Sequence, residues 1–244
     1  MPDKTPDKID KTFEKTADFL SQIPEWEKEY KESDKVDIEF EKKDWKDAPA
    51  DFAEHDLKIF GYAVMEDWEA PYMKDLAEIA TMKGGRVLEL GYGMGISAKY
   101  IQEYPIDEHI IIEANTDVAN KAREFAAQAS HKTTVLEGLW EDVIDQIPDG
   151  SLDGILFDTY PLTEEEVYQN HFNFFDYAFK KLKLGGIFTY YSDEPVAFGK
   201  VHMRKLQEAG FSKEKITSRI CEVHPPEDCE YWKTNTIMSP IVEK

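Results

Sequence analysis

At 244 residues, 41% hydrophobic and 13% aromatic, the chain is long and apolar enough for one sizeable α/β domain with an N-terminal extension. Its formal net charge of -21 makes a surface that repels phosphate backbones and anionic membranes, which argues against nucleic acid as a partner. No apolar run is long enough to span a bilayer, and Met1-Pro2-Asp3-Lys4 opens no signal-peptide core, so a reducing compartment is expected, most simply the cytoplasm. Residues 1–44 are dense in Lys, Asp and Glu and read as a charged extension, mobile or loosely docked, in which Phe13, Ala17 and Leu20 mark one face of a short helix. The domain is expected over residues 45–244. A helix is predicted over 67–82, leading into the sheet. Strands are predicted over 86–90, 109–113, 133–137, 154–158 and 186–191, with two more over 216–223 and 236–242. Helices are predicted over 95–103, 117–129, 163–182 and 195–209. Thr163 and Glu166 have capping-box spacing, and Lys183-Leu184-Gly185-Gly186 reads as the end of that helix and the turn into the next strand. Such alternation implies a mostly parallel seven-stranded sheet, Rossmann-like, with helices on both faces.

The most informative stretch is Arg86-Val87-Leu88-Glu89-Leu90-Gly91-Tyr92-Gly93-Met94-Gly95. It reads as a buried strand ending in a glycine-rich turn, and glycine lets a ligand lie against bare main chain. Glu113 stands eighteen residues after Gly95, at the end of the apolar run His109-Ile110-Ile111-Ile112. That spacing suits a carboxylate that grips the ribose hydroxyls of an adenosine cofactor. Gly93-x-Gly95-x-x-Ala98 also satisfies a dinucleotide fingerprint, so an NAD-dependent oxidoreductase is one reading. Three features favour S-adenosyl-L-methionine. Gly91, Gly93 and Gly95 alternate after the acid Glu89; Trp140 and Glu141 follow the third strand, where an aromatic and an acid can frame an adenine; and the fourth strand ends in Asp158, ahead of Thr159-Tyr160-Pro161. Ligands of open parallel sheets sit outside the carboxyl ends of the strands, and all of these residues fall there.

The residues also resemble a specific family, the guanidinoacetate N-methyltransferases. The matching words are Val64-Met65-Glu66-Asp67-Trp68-Glu69, Pro71-Tyr72-Met73, Lys83-Gly84-Gly85-Arg86-Val87-Leu88-Glu89, Pro105-Ile106-Asp107-Glu108-His109 and Gly138-Leu139-Trp140-Glu141-Asp142-Val143. They continue with Asp153-Gly154-Ile155-Leu156-Phe157-Asp158-Thr159-Tyr160-Pro161-Leu162 and Pro225-Pro226-Glu227-Asp228-Cys229-Glu230-Tyr231. The resemblance implies the class I methyltransferase fold, with S-adenosyl-L-methionine as methyl donor and S-adenosyl-L-homocysteine as product. Carried over by position, it implies cofactor contacts at Met65, Met73, Gly91, Tyr92, Gly93, Met94, Gly95, Ile96, Ser97, Glu113, Trp140 and Glu141. It implies guanidino-binding carboxylates at Glu69 and Asp158. Trp45 matches a tryptophan that closes over the site in the family; its plain reading is a packing anchor. Met65 and Met73 read equally as core methionines without the family match.

The chemistry suits these residues. A guanidinium spreads its charge over three nitrogens and stays protonated at neutral pH. Two carboxylates that accept its hydrogen bonds hold the charge toward two nitrogens and leave the third richer in electrons. Asp158 then receives a proton as the N–CH3 bond forms, and alignment supplies much of the remaining rate. The six histidines are scattered, and Cys221 and Cys229 read as free buried thiols, so neither a metal nor a nucleophilic side chain is expected. The chain departs from the family after the fifth strand, where Ser192-Asp193-Glu194-Pro195 replaces the segment that holds a substrate carboxylate. If Asp193 and Glu194 point outward, guanidinoacetate remains a good substrate and creatine its product. If they point inward, like charges repel, and a substrate with a cationic far end, such as arginine or agmatine, fits better. The leading expectation is a guanidinoacetate N-methyltransferase acting on a small guanidino substrate, as a monomer or homodimer. Its rivals are methylation of arginine, agmatine or a protein arginine, the oxidoreductase, and a non-catalytic binding module.

Overall fold

The computed structural model describes residues 38–244 apart from Tyr168. The expected helix face of Phe13, Ala17 and Leu20, and most of the charged extension, lie outside the described residues. Residues Ile38–Lys244 form one compact unit. Its first ordered element is a 3-10 turn, Lys42–Asp47. A three-stranded antiparallel sheet follows, made of β1 (Ala50–Phe52), β2 (Asp56–Ile59) and β3 (Tyr62–Glu66). No periodicity announced this sheet, because its strands are short and β1 is largely exposed. The β2–β3 hairpin turns through Phe60 and Gly61 at φ +55° and +84°, both in the left-handed region that two-residue hairpin turns use. Phe60 accepts that conformation while its ring stacks on Phe40, with centroids 5.0 Å apart.

The main sheet has seven strands: β4 (Arg86–Leu90), β5 (Glu108–Glu113), β6 (Lys132–Glu137), β7 (Leu152–Phe157), β8 (Leu182–Tyr190), β9 (Ile216–Glu222) and β10 (Thr236–Glu243). Their order is β6-β5-β4-β7-β8-β10-β9. The first five in that order pair in parallel, while β10 runs antiparallel to both neighbours. Every one of these strands was expected, the central β4, β5 and β7 because a strand covered on both faces must be apolar on both. Leu88, Leu90, Ile110, Ile112, Ile155, Phe157 and Phe188 point to one face and join the buried side chains of three helices, α4 (Trp140–Val143), α5 (Phe175–Lys181) and α6 (Lys200–Glu208). Ile111 points to the other face, where α2 (Ile96–Ile101) and α3 (Thr116–Ala126) supply Ala98, Val118 and Ala122. Beside α2 lies α1 (Ala70–Ala80), started by Pro71 in its first turn and packed on β7, β8 and β10. No helix among the described residues is long and apolar enough to cross a membrane.

Two predicted helices are corrected. The stretch 163–182 is a 3-10 turn at Glu164–Glu166, another at Asn170–Phe174, and only then α5. Thr163 caps nothing with its side chain, and the expected capping box is absent. The polar groups serve the loop after β7 instead. Glu166 accepts the Leu162 N–H (2.8 Å) and the Lys42 ammonium (3.1 Å), and Asn170 holds the Thr159 carbonyl. The segment 183–186 is no helix cap either, because β8 begins directly after α5 and Gly185, at φ +81°, bends its start. The helix expected from residue 195 begins at Lys200, since Glu194 accepts the Gly199 N–H (3.1 Å) and holds 195–199 as a loop. Cys229 is a buried free thiol as expected, but Cys221 is only half-buried.

Asn115 ties the N-terminal segment to the main sheet. Its buried side-chain oxygen accepts the Asp117 and Val118 N–H groups and so caps α3, while its amide donates to the carbonyls of Trp45 (2.9 Å) and Ala48 (2.8 Å). An Asn115→Ala variant therefore loses a helix cap and strands two carbonyls. The expected cost is about 2–4 kcal/mol in denaturant unfolding. A loss below about 1 kcal/mol would mean that the segment holds without this link.

Candidate active site

The glycine turn follows β4 directly. Gly91, Gly93 and Gly95 have φ of +85°, +52° and +71°, and Gly95 is the N-terminal cap of α2. A Cβ on Gly91 would stand 1.8 Å from the Asp158 carbonyl oxygen, and one on Gly93 would stand 2.9 Å from the Met65 sulfur. Side chains are excluded from this turn by packing as well as by conformation. Behind it, Glu113 at the end of β5 accepts the Tyr92 N–H (2.9 Å) and the Asn115 N–H (2.8 Å). Burial raises its pKa above the usual carboxylate range, opposed by those backbone hydrogen bonds. The Met94 N–H points at the Met65 sulfur, 3.3 Å away. A bare, left-handed backbone cradle with a carboxylate and a thioether against it fits an adenosine sulfonium donor.

The other expected cofactor residues differ in setting. Trp140 is half-buried, edge-on to Phe157, Phe174 and Tyr177, while Glu141 is exposed and paired with Lys42 at 2.7 Å. Ile96 is half-buried at the start of α2. Ser97 is buried and donates to Glu89, and Met73 is fully buried on α1. The Tyr92 ring turns to the helix side, where it packs on Phe125 and lines a cavity of about 460 Å³ with Phe52, Lys99 and Lys121. That cavity meets the turn at Gly93 and Met94, between α2 and α3, where Glu124 also lines it. Trp45 is buried and stacks on Tyr160, with centroids 5.1 Å apart. It packs the N-terminal segment against the loop after β7.

The two expected guanidino carboxylates come together. Glu69 lies in the single turn Asp67–Glu69 between β3 and α1, where it accepts the Glu66 N–H (2.9 Å) and the Tyr231 hydroxyl (2.7 Å). Asp158 is the first residue after β7, its N–H bonded to the Leu90 carbonyl. Burial pushes Glu69 up to about 8, helped by the charge of Asp158. Burial likewise pushes Asp158 up to about 7, helped by the charge of Glu89. Asp193 joins them: burial pushes it up to about 8, with Asp158 and then Glu194 adding to the shift. Glu194 faces elsewhere, with Oε1 on the Gly199 N–H and 3.5 Å from His202 Nδ1. The adjacent acids therefore face different ways, Asp193 inward and Glu194 toward its own loop. Three crowded acids, Glu69 buried and Asp158 and Asp193 half-buried, form a site whose natural complement is a cation.

Two features escaped the sequence reading. Tyr231 had been quoted only as part of a matching word, and nothing local connects it with Glu69, 162 positions away. Buried beneath the turn, His109 Nε2 lies 3.0 Å from Glu89 Oε2. This pair did carry a signal, since Glu89 opposes Ile111 in the parallel ladder and His109, two residues earlier, must share its face.

A family model described as guanidinoacetate N-methyltransferase matches residues 36–244. Among curated proteins, protein arginine N-methyltransferase 2 of Kluyveromyces lactis is 32% identical over 146 residues, covering 55% of this chain and 35% of its own length. The protein of the same name from Saccharomyces cerevisiae is 29% identical over 137 residues, covering 53% and 32%. The chain thus spans about a third of the length of these relatives. Spermidine synthase from Thermotoga maritima matches in fold, with a TM-score of 0.57 at 13% identity over 80% of this chain and 72% of its own. Sheet order and glycine turn are those of the class I methyltransferase fold. The chain belongs to the guanidinoacetate N-methyltransferase family.

Proposed function

We propose that this protein is an S-adenosyl-L-methionine-dependent N-methyltransferase of a guanidino group, with an arginine-type guanidino compound, free or within a protein, as its substrate. The observation that carries this reading is that Asp158, at the exit of β7, lies near enough to the buried Glu69, far away in sequence, for its charge to help raise the Glu69 carboxyl. The cofactor would be held by the turn from Gly91 to Ser97, by Glu113 toward the ribose, and by Met65, Trp140 and Glu141. Bound there, it supplies an electrophilic methyl and its own leaving group.

The chain's residues do the rest. Tyr231 and the Glu66 N–H fix the Glu69 carboxylate, so it presents its remaining lone pairs in a set direction. Glu69 and Asp158 accept N–H groups of the guanidinium and localise a lone pair on the third nitrogen. Asp158, pushed up to about 7, is matched to taking the proton released as that nitrogen is methylated.

The arginine methyltransferases among the relatives support arginine over guanidinoacetate, and so does the acid at 193, within electrostatic reach of Asp158. Conversion of guanidinoacetate to creatine is the second reading, supported by the family description. A donor-turnover screen against guanidinoacetate, agmatine, free arginine and an arginine-containing peptide tests both. We expect transfer to at least one guanidino compound, with arginine or its peptide leading. Absence of transfer to all of them, in a protein that binds S-adenosyl-L-homocysteine, would reject the assignment.

A further inference from the structure

Strand β8 ends at Tyr190, and the next residues are tied down one by one. The Tyr191 N–H donates to the Phe157 carbonyl (3.0 Å), so this segment runs beside the exit of β7, immediately before Asp158. The Ser192 N–H donates to the Tyr72 hydroxyl (3.3 Å), and its own hydroxyl donates to the Met238 carbonyl (2.7 Å). Asp193 then takes φ +53°, a left-handed conformation that Asp and Asn enter more readily than most residues with a side chain. The outcome is the split already noted, in which Asp193 stays within electrostatic reach of Asp158 while Glu194 Oε1 is spent on the Gly199 N–H of its own loop. Asp193 Oδ2 also lies 3.8 Å from Nδ1 of the buried His171, beyond hydrogen-bond length.

Tyr191 supplies the second observation. Its hydroxyl is buried and has no hydrogen-bond partner among the described residues. The ring is held edge-on by Tyr72 (5.2 Å) and Trp232 (6.4 Å), within electrostatic range of Glu69 and Asp193. A buried hydroxyl left over beside a cation-binding site is a ready acceptor for one more N–H.

Substrate chemistry decides what this end of the pocket does. In guanidinoacetate a single methylene separates the carboxylate from the guanidino nitrogen, so the anion must lie close to wherever the guanidinium is held. In an arginine side chain three neutral methylenes leave the guanidino group before any charged or polar atom is reached. We propose that Asp193, with the Tyr191 hydroxyl beside it, is the specificity-determining end of the guanidino pocket. It rejects a carboxylate close to the guanidino group and admits the neutral methylene chain of an arginine side chain. The proposal rests on the guanidino reading above and names which guanidino substrate the pocket selects.

The test compares kcat/KM for guanidinoacetate and for Nα-acetyl-arginine amide in the wild type and in Asp193→Asn and Asp193→Gly. Both replacements tolerate the left-handed backbone, and thermal melting verifies that each is folded. The wild type is expected to prefer the arginine compound by roughly tenfold or more, and both variants to narrow that ratio by at least about fivefold, chiefly through a lower KM for guanidinoacetate. A wild-type preference for guanidinoacetate overturns the proposal and leaves the guanidino assignment standing. An unchanged ratio in both variants, with the arginine compound still turned over, does the same. Failure to methylate either compound would instead take down the guanidino reading itself.

Discussion

Replacing Asp158 by Asn is expected to lower turnover of the methylated guanidino substrate by about 10²- to 10⁴-fold while leaving binding of S-adenosyl-L-homocysteine within a few-fold of wild type. The two halves of this result have separate origins. Asp158 touches the glycine turn through its backbone, since its carbonyl is the atom packed against Gly91 and its N–H is bonded to Leu90. An isosteric amide leaves both contacts in place, so the cofactor cradle keeps its shape. The side chain is another matter. An amide neither takes up the proton nor offers the charge that localises the guanidinium, and its NH₂ group would confront the substrate with a donor. Glu69→Gln should cost less, because its Oε1 position still accepts from Tyr231 and Glu66. Single-turnover methyl transfer checks this. Near-normal rates for Asp158→Asn on every active substrate would remove the chemical basis of the assignment.

The second large effect is on pH. Glu69, Asp158 and Asp193 are pushed up to about 8, 7 and 8, and the groups facing them are mostly acidic or phenolic: Glu66, Glu89, Glu194, Tyr72, Tyr191 and Tyr231, with His171 on the far side of Asp193. In the ligand-free pocket these acids are largely neutral below pH 7. A guanidinium keeps its charge at any pH of interest and is held by the ionised forms, so kcat/KM should rise with pH through about 7–8 and then level off.

Stability of the ligand-free protein should move the other way. Unfolded carboxyls titrate near 4, so between about pH 4 and 8 the folded state binds more protons than the unfolded state. The stability contributed by these groups is complete below the lower value and is lost as pH rises through the upper one. Glu113, raised by burial, acts in the same direction. The acids with lowered values, Glu108, Glu137, Asp149 and Glu243, contribute stability that is lost only as pH falls below the usual carboxylate range, outside this window. Melting temperature should therefore fall between about pH 5.5 and 8, and Asp193→Asn should flatten the fall. A melting temperature that is level or rising across that range would show that the acids are not crowded in solution.

The parallel core was legible because burial on both faces leaves a continuous apolar word for each strand, as in Val87–Leu90 and Ile110–Ile112. The turn was legible because left-handed backbone selects glycine at 91, 93 and 95. Elsewhere, tertiary partners overrode local pattern. Thr163 and Glu166 have the spacing of a helix start, but Lys42 and the Leu162 N–H claim Glu166 for a loop. The direction of Asp193 was undecidable from its neighbours, because it follows from Ser192 being pinned to Met238, 46 positions later. Tyr231 reaches Glu69 by the same kind of long-range closure.

The place of β10 has a consequence for biosynthesis. It follows the other six strands of the sheet in sequence, yet it lies between β8 and β9, and its Met238 carbonyl receives both the Tyr72 and the Ser192 hydroxyls. A nascent chain stalled just before β10 already holds all three pocket acids but lacks the backbone atom that orients the loop bearing one of them. Competence to choose a substrate thus waits until β10 has emerged and the sheet is zipped shut from within.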